Sequence, residues 1–380
     1  MIITTTSELS KHCAEWAKEP FITVDTEFLR DKTYWPVLCL IQVGWSNGAV
    51  AIDPLASGID LAPFFEILQS PSVIKVFHAA RQDLEIFYKL NGKIPAPLVD
   101  TQIAAMVCGF GEQASYETLV NSIAKQQLDK SLRFTDWSIR PLSEGHIKYA
   151  LGDVIHLRIV YTELHKQAER TGRLEWMLEE MQNLTNPATY SIDPKMVWQR
   201  IRARSHKPKF LNYLRELCAW REIMAQKRDV PRSRIIKDDG ILEIASYPPN
   251  ALGDFSRYRQ VYGLNEKEKS EIIELMQNAA KMPADQWPQV DQPKPLTQSQ
   301  SALLELLKVL LRIKSDQNGV AAKIIATSDD LELLARGHDD QCSVLRGWRR
   351  KIYGEYALAL RDGKLALGLD KKGLKLVDVS

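Results

Sequence analysis

Apolar positions in the first hundred residues switch between strand-like runs and helical spacing. Residues 21–28 and Val37–Trp45 predict two strands, the second rich in Val, Ile and Leu. Asn47-Gly48 predicts a turn, and residues 49–53 a short third strand after it. Residues 59–68 are spaced as a helix, 73–78 as a fourth strand and 83–90 as a helix that follows it. A meander succeeded by a strand–helix unit implies an α/β domain with a mixed sheet. Residues 116–124 and Glu144–Arg170 continue with helical spacing.

Two polar, proline-marked stretches interrupt this pattern. Residues 183–193 are polar, with Pro187 and Pro194 nearby, and Pro283, Pro288, Pro293 and Pro295 punctuate a second stretch. Proline at that density resists both helix and sheet. The chain therefore divides into an α/β domain at 1–190 and two all-α domains at 200–285 and 295–380. The two helical parts are similar to each other. Leu214, Leu217, Ile236 and Leu242 match Leu303, Leu306, Ile325 and Leu331 at a spacing of 89, with one insertion expected around Arg232–Arg234.

Composition narrows the class. A chain of 380 residues, 45% hydrophobic and 26% charged, is an ordinary soluble mixture too long for one core. The cysteines Cys13, Cys39, Cys108, Cys218 and Cys342 are scattered and form no Cys-x-x-Cys pair, which argues against a disulfide framework or structural zinc and fits a reducing cytoplasm. The first sixteen residues lack the basic-then-apolar order of a signal peptide, and no apolar run approaches the roughly 20 residues of a membrane span. Net charge is only +2, yet twelve basic residues stand against three acidic ones between Arg200 and Lys237. Such a segment reads as a phosphate-tracking surface, with the nearby Trp198, Phe210, Tyr213 and Trp220 read mainly as core.

The candidate chemistry lies in carboxylates. Asp25 and Glu27 occupy alternate positions of a strand, so they share one face and Thr26 takes the other. Two acids side by side on an apolar strand repel each other unless a cation lies between them. Asp83 falls in the first turn of a helix, where an acid also suits the helix dipole. His78 at the preceding strand end reads as structural. Tyr149 and Asp153 are four residues apart on one helix face, with Ser143 as its expected N-cap. Gly152 lowers that helix's intrinsic stability, which suggests close approach of another backbone there. Four carboxylates with no histidine or cysteine cluster make an oxygen-only site suited to Mg²⁺ or Mn²⁺. Two such ions, about 3.5–4 Å apart, clamp the attacking and leaving oxygens of a phosphodiester.

Residues 21–28, 77–84 and 149–154 resemble the three exonuclease motifs of the ribonuclease D family, in the tyrosine branch of the DEDD superfamily. Leu128-Asp129-Lys130-Ser131 and Asp136-Trp137-Ser138-Ile139-Arg140-Pro141-Leu142 are similar to the same pattern, and the two helical parts resemble HRDC modules. The resemblance covers nearly the whole chain. It implies a ribonuclease H-like fold for the first domain and metal-dependent 3′→5′ hydrolysis of RNA, releasing nucleoside 5′-monophosphates. It also implies tRNA precursors and other small structured RNAs as substrates. By the same resemblance Asp25, Glu27, Asp83 and Asp153 hold two divalent cations and Tyr149 is catalytic. Lys130, Arg133, Trp137 and Arg140 precede the Tyr149 helix and are expected either to contact the substrate backbone or to form a lid or packing loop. No Walker motif is present, and Gly109-Phe110-Gly111 is too short for a phosphate loop, so ATP use is not expected. A monomer is the expected state. The rival readings are a DNA proofreading exonuclease and a non-catalytic RNA-binding protein of the same fold.

Overall fold

The computed structural model describes residues 1–128, 132, 135–203, 205–261, 263–290, 294–371 and 373–379. Its first part is a six-stranded mixed sheet in the order β1-β4-β3-β2-β5-β6. The strands are β1 (Ile2–Ile3), β2 (Phe21–Leu29), β3 (Val37–Trp45), β4 (Gly48–Ile52), β5 (Ile74–Phe77) and β6 (Leu98–Asp100). β2, β3 and β4 form the antiparallel meander expected from the sequence, while β2–β5, β5–β6 and β1–β4 pair in parallel. The edge strands β1 and β6 are too short for their periodicity to show. From Leu38 to Trp45 every residue of β3 is buried, as a central strand covered on both faces requires.

Among the described residues, the sheet is surrounded by the α-helices α1 (Thr6–Trp16), α2 (Ala62–Gln69), α3 (Arg81–Asn91), α4 (Thr101–Val107), α5 (Tyr116–Leu119), α6 (Glu144–Arg170) and α7 (Leu174–Met181). The longest, α6, begins at Ser143, whose hydroxyl accepts from the His146 amide in a capping box. Its stripe of Ala150, Val154, Leu157, Val160 and Leu164 is buried against the sheet.

The two following units repeat one helical frame. α8 (Pro208–Arg228), α9 (Arg232–Ile235) and α10 (Asp238–Ser246) correspond to α12 (Gln298–Asn318), α13 (Ala322–Ile325) and α14 (Ser328–Arg336), and α11 (Glu266–Lys281) completes the first unit. Each element of the second unit starts 90 residues after its counterpart, with Pro208 matching Gln298, Arg232 matching Ala322 and Asp238 matching Ser328. The spacing of 89 read from the leucines is therefore one residue short, and there is no insertion at Arg232. Burial explains the slip: Leu217 is 0% exposed and its true partner Leu307 is also 0% exposed, whereas Leu306 is 45% exposed. The last unit also ends in a hairpin, β7 (Leu365–Asp370) with β8 (Gly373–Asp378), so it is not wholly helical.

Among the described residues the buried side chains form four clusters, two in the first part and one in each later unit, and each of the latter takes in a residue of the first part. Tyr34, on the loop between β2 and β3, belongs to the core built by α8, α10 and α11, and Val107 belongs to the core of the last unit. Around Tyr34 the contacts are polar as well. Asp229 accepts from the Tyr34 and Trp35 amides at 3.1 and 2.9 Å. The Tyr34 hydroxyl donates to Glu222, which is fully buried and ion-paired with Arg232. Burial opposes charge on Glu222, yet the Arg232 and Tyr34 donors hold its pKa below the usual range. In the last unit, Trp348 stacks on Trp176 at 4.6 Å and Arg349 pairs with Glu180 at 2.6 Å. The five cysteines are free and buried. Among the described residues no helix is long and apolar enough to cross a membrane.

Removing the cationic partner of Glu222 strands a buried carboxylate. Arg232→Ala should destabilise the protein by about 3 kcal/mol. Thermal melting and limited proteolysis between the first two units measure it, and an unchanged midpoint would show that the contact is idle.

Candidate active site

β2 presents Thr23, Asp25 and Glu27 toward α6. The Thr23 hydroxyl donates to the Val154 carbonyl at 2.8 Å, which fixes the helix over the strand one residue beyond Asp153. The approach is close because position 44 is glycine. A Cβ there would lie 2.5 Å from the Thr23 hydroxyl and 3.0 Å from the Val154 carbonyl oxygen. Gly152, by contrast, has nothing within 4 Å of where its Cβ would be, so the close backbone approach expected there occurs at Gly44 instead.

Asp83 arrives from another direction. Thr26, on the opposite face of β2 from Asp25, donates its hydroxyl to the Asp83 carboxylate. The turn into α3 is held by buried Asp100, which accepts from the Ala79 and Ala80 amides at 2.9 Å each and from Gln102 at 2.8 Å. This grip keeps Ala79 at φ 54°, a left-handed conformation costing a non-glycine residue about 1 kcal/mol or more. His78 beside it bonds the Thr101 hydroxyl at 3.0 Å, and burial pushes its pKa down to about 4, so it is a neutral structural residue.

Tyr149 is half-buried one turn before Asp153, with its ring 6.0 Å from that of Trp137. The carbonyl of Asp153 accepts a hydrogen bond from the Tyr116 hydroxyl. Trp137 is only 2% exposed. Arg140 makes a two-pronged pair with Asp53 at 2.7 Å and donates to the Cys39 carbonyl at 2.7 Å and the Trp137 carbonyl at 2.8 Å. Trp137 is therefore packed inside the fold, and the Arg140 guanidinium is engaged by Asp53 and by main-chain carbonyls. Lys130 and Arg133 lie outside the described residues. Thr26, Asp100 and Tyr116 carried no signal in the sequence, since each acts through a partner distant along the chain.

The four acids share one electrostatic field. Burial pushes Asp25 up to about 6. Glu27 is pushed up to about 9 by burial and then by Asp25, Asp153 and Asp83. Burial and then Asp25 raise Asp153 to about 8 and lift Asp83 well above its usual value. Asp25 thus acts on all three others. No three such side chains among the described residues are drawn together into a closed ligand cage. Carboxylates that repel one another hold apart until a cation lies between them. Their donor set, oxygen only, fits a hard divalent ion.

In the basic segment, Arg215, Arg221, Arg228 and Arg232 pair internally with Glu216, Asp238, Glu268 and Glu222. Arg200, Arg202, Lys207, Lys209, Lys227, Arg234 and Lys237 remain exposed. Trp198 and Tyr213 are buried in the second core, with Phe210 and Trp220 packed against it.

Mixed sheet, clustered acids and helix-borne tyrosine together define a 3′–5′ exonuclease. The family model for 3′-5′ exonuclease matches residues 1–169, and that for the HRDC domain matches residues 210–278. Ribonuclease D of Granulibacter bethesdensis is 45% identical over 379 residues, covering 99% of this chain and 96% of that protein. Ribonuclease D of Nitrobacter hamburgensis is 45% identical, covering 97% of both chains. The crystal structure of Escherichia coli RNase D superposes with a TM-score of 0.81 at 28% identity, over 96% of this chain and 98% of that one. The chain belongs to the ribonuclease D family. It is a nuclease, a hydrolase whose exonuclease domain implies use of divalent metal.

Two outcomes follow from this geometry. Acids whose ordinary values lie near 4 are raised in the fold, so the folded chain keeps protons that the unfolded chain has lost between about pH 4 and 9. Stability without cations is therefore greatest on the acid side and declines as pH rises through that window. The melting temperature in chelator should fall from pH 5 to pH 9. Added Mg²⁺ or Mn²⁺ should raise it most at pH 9 and release protons. A melting temperature that climbs over this interval in chelator contradicts the cluster. Gly44→Ala should displace α6 and lower turnover about ten- to a hundredfold while the protein stays folded; wild-type turnover would mean that α6 tolerates the shift.

Proposed function

We propose that this enzyme trims RNA from its 3′ end, releasing nucleoside 5′-monophosphates, and that tRNA precursors and other small structured RNAs are its substrates. The observation that carries the reading is that Asp25, Glu27, Asp83 and Asp153 are all raised by burial, the last three also by the charge of Asp25, with Tyr149 one turn from Asp153 on α6. Support for RNA comes from the relatives, among them the Escherichia coli enzyme described as an exoribonuclease involved in structured RNA processing. Residues 1–190 act as the catalytic domain, and 200–285 and 295–380 as two HRDC-like units. Lys130 and Arg133 are proposed substrate contacts.

The four carboxylates hold two divalent cations, Mg²⁺ or Mn²⁺, which when bound lower the pKa of a water and stabilise charge on the leaving 3′-oxygen. Asp25 would be the ligand shared by the two ions. Asp153 would hold the ion on the water side and Asp83 the one on the leaving-group side. Glu27 would bind metal and face the terminal ribose. The Tyr149 hydroxyl would orient the attacking water. The exposed lysines and arginines of 200–237 hold phosphates, which positions the strand without reading its sequence.

Asp25→Asn should abolish release of mononucleotides from a 3′-tailed RNA at any Mg²⁺ concentration, and Tyr149→Phe should leave melting unchanged while kcat falls steeply. Labelled RNA resolved by nucleotide length reads both. Full activity of the Asn variant removes the site, and an unchanged rate for the Phe variant removes Tyr149 from the reaction.

A further inference from the structure

Gln42 lies on β3 directly opposite Asp25 in the antiparallel register with β2. Paired residues point to the same face, with Cβ atoms about 4.5–5.5 Å apart. The Gln42 side chain therefore shares a face with Asp25 and with Gly44, the position over which the α6 backbone packs at Val154. It is 0% exposed. Neither its amide oxygen nor its amide nitrogen has a hydrogen-bond partner among the described residues. Its neighbours Ile41 and Val43 are apolar and fully buried, so the strand itself has no use for an amide at this position. A buried amide left unpaired disfavours the fold, and an apolar side chain of similar size would remove that penalty. The polar group that the register brings beside it is the Asp25 carboxylate.

We propose that Gln42 is a positioning residue for the exonuclease reaction, its side-chain amide donating to the Asp25 carboxylate and fixing that carboxylate as the shared cation ligand. The inference rests on the reading of Asp25 as that ligand. A second hydrogen bond to a ligating carboxylate sets its orientation and strengthens its hold on metal. It also accounts for a buried amide to which the other described residues offer no partner. Gln42 touches neither substrate nor the reacting atoms; it acts through Asp25.

The test uses full-length Gln42→Leu and Gln42→Met proteins beside the wild type and Asp25→Asn. Mn²⁺ binding is titrated calorimetrically with the metal alone, melting is recorded in chelator, and kcat and KM are measured on a 3′-tailed RNA. The expected result is melting in chelator at or above the wild-type temperature, with Mn²⁺ affinity reduced about 10- to 100-fold. kcat should fall while KM for RNA holds, and excess Mn²⁺ should restore part of kcat. Wild-type Mn²⁺ affinity in either folded variant overturns the proposal. Melting of both variants well below the wild type overturns it too, since Gln42 is then a packing residue. Wild-type activity in Asp25→Asn removes the metal-site reading beneath it, whereas an inactive Asp25→Asn beside unaffected Gln42 variants removes this inference alone.

Discussion

Burying carboxylates close to one another is the constraint that the first domain is built to withstand. Burial raises the pKa of all four acids, and the charge of Asp25 raises Glu27, Asp83 and Asp153 further. An unfolded chain would relieve that constraint by hydrating each group separately. The fold resists by carrying the acids on three elements, each anchored from outside the cluster. β2 is clasped between β3 and β5. The turn that delivers Asp83 is gripped by the Asp100 carboxylate, and Thr26 holds Asp83 itself. α6 is tied down at both sides of its acid, by Thr23 at Val154 and by Tyr116 at Asp153. Apart from the Thr26 bond to Asp83, these ties run to main-chain groups or to Asp100 and do not involve the carboxylates of the four acids. A scaffold that stayed in place only when the cluster was neutralised would lose its geometry as pH rose; this one positions the carboxylates from outside the cluster.

What the sequence disclosed about this site follows from how local each signal is. Asp25 with Glu27 reads from the two-residue period of a strand, and Tyr149 with Asp153 from the four-residue face of a helix. Those relations survive in the structure because they depend only on the backbone of one element. The supports do not read from the sequence, because Thr26–Asp83 and Tyr116–Asp153 span 57 and 37 residues. The two glycines make the same point from opposite sides. Gly152 attracted notice because glycine is unfavourable in a helix, yet its surroundings are open; Gly44, inconspicuous near a strand end, is the one pressed against α6.

The repeated helical units show a different limit. An amphipathic helix places leucines three and four residues apart, so two copies can be laid over each other one residue out of step with little loss of apparent match. Burial decides between the registers, and it favours Leu307 over its exposed neighbour Leu306. The closing hairpin went unread for a related reason: its strands, Leu365–Asp370 and Gly373–Asp378, are six residues each and joined by a short turn, too brief to declare a period against a helical background.

The joint between the first two units bears on how substrate and chemistry are kept in register. β2, which carries Asp25 and Glu27, continues into the loop whose Tyr34 is buried in the next unit's core. The helix that receives this loop, α8, also carries Glu222 and Asp229, which bond Tyr34 and Trp35. Charge in the basic segment is divided accordingly. Arg215, Arg221, Arg228 and Arg232 turn inward to acids, while the lysines and remaining described arginines stay at the surface. A phosphate-binding unit hung on a loose tether would add local concentration but no geometry. Here the same loop that leaves the strand of Asp25 and Glu27 is the one the second unit grips, so the exposed cations of that unit are referred, through a few packed residues, to a fixed position relative to Asp25.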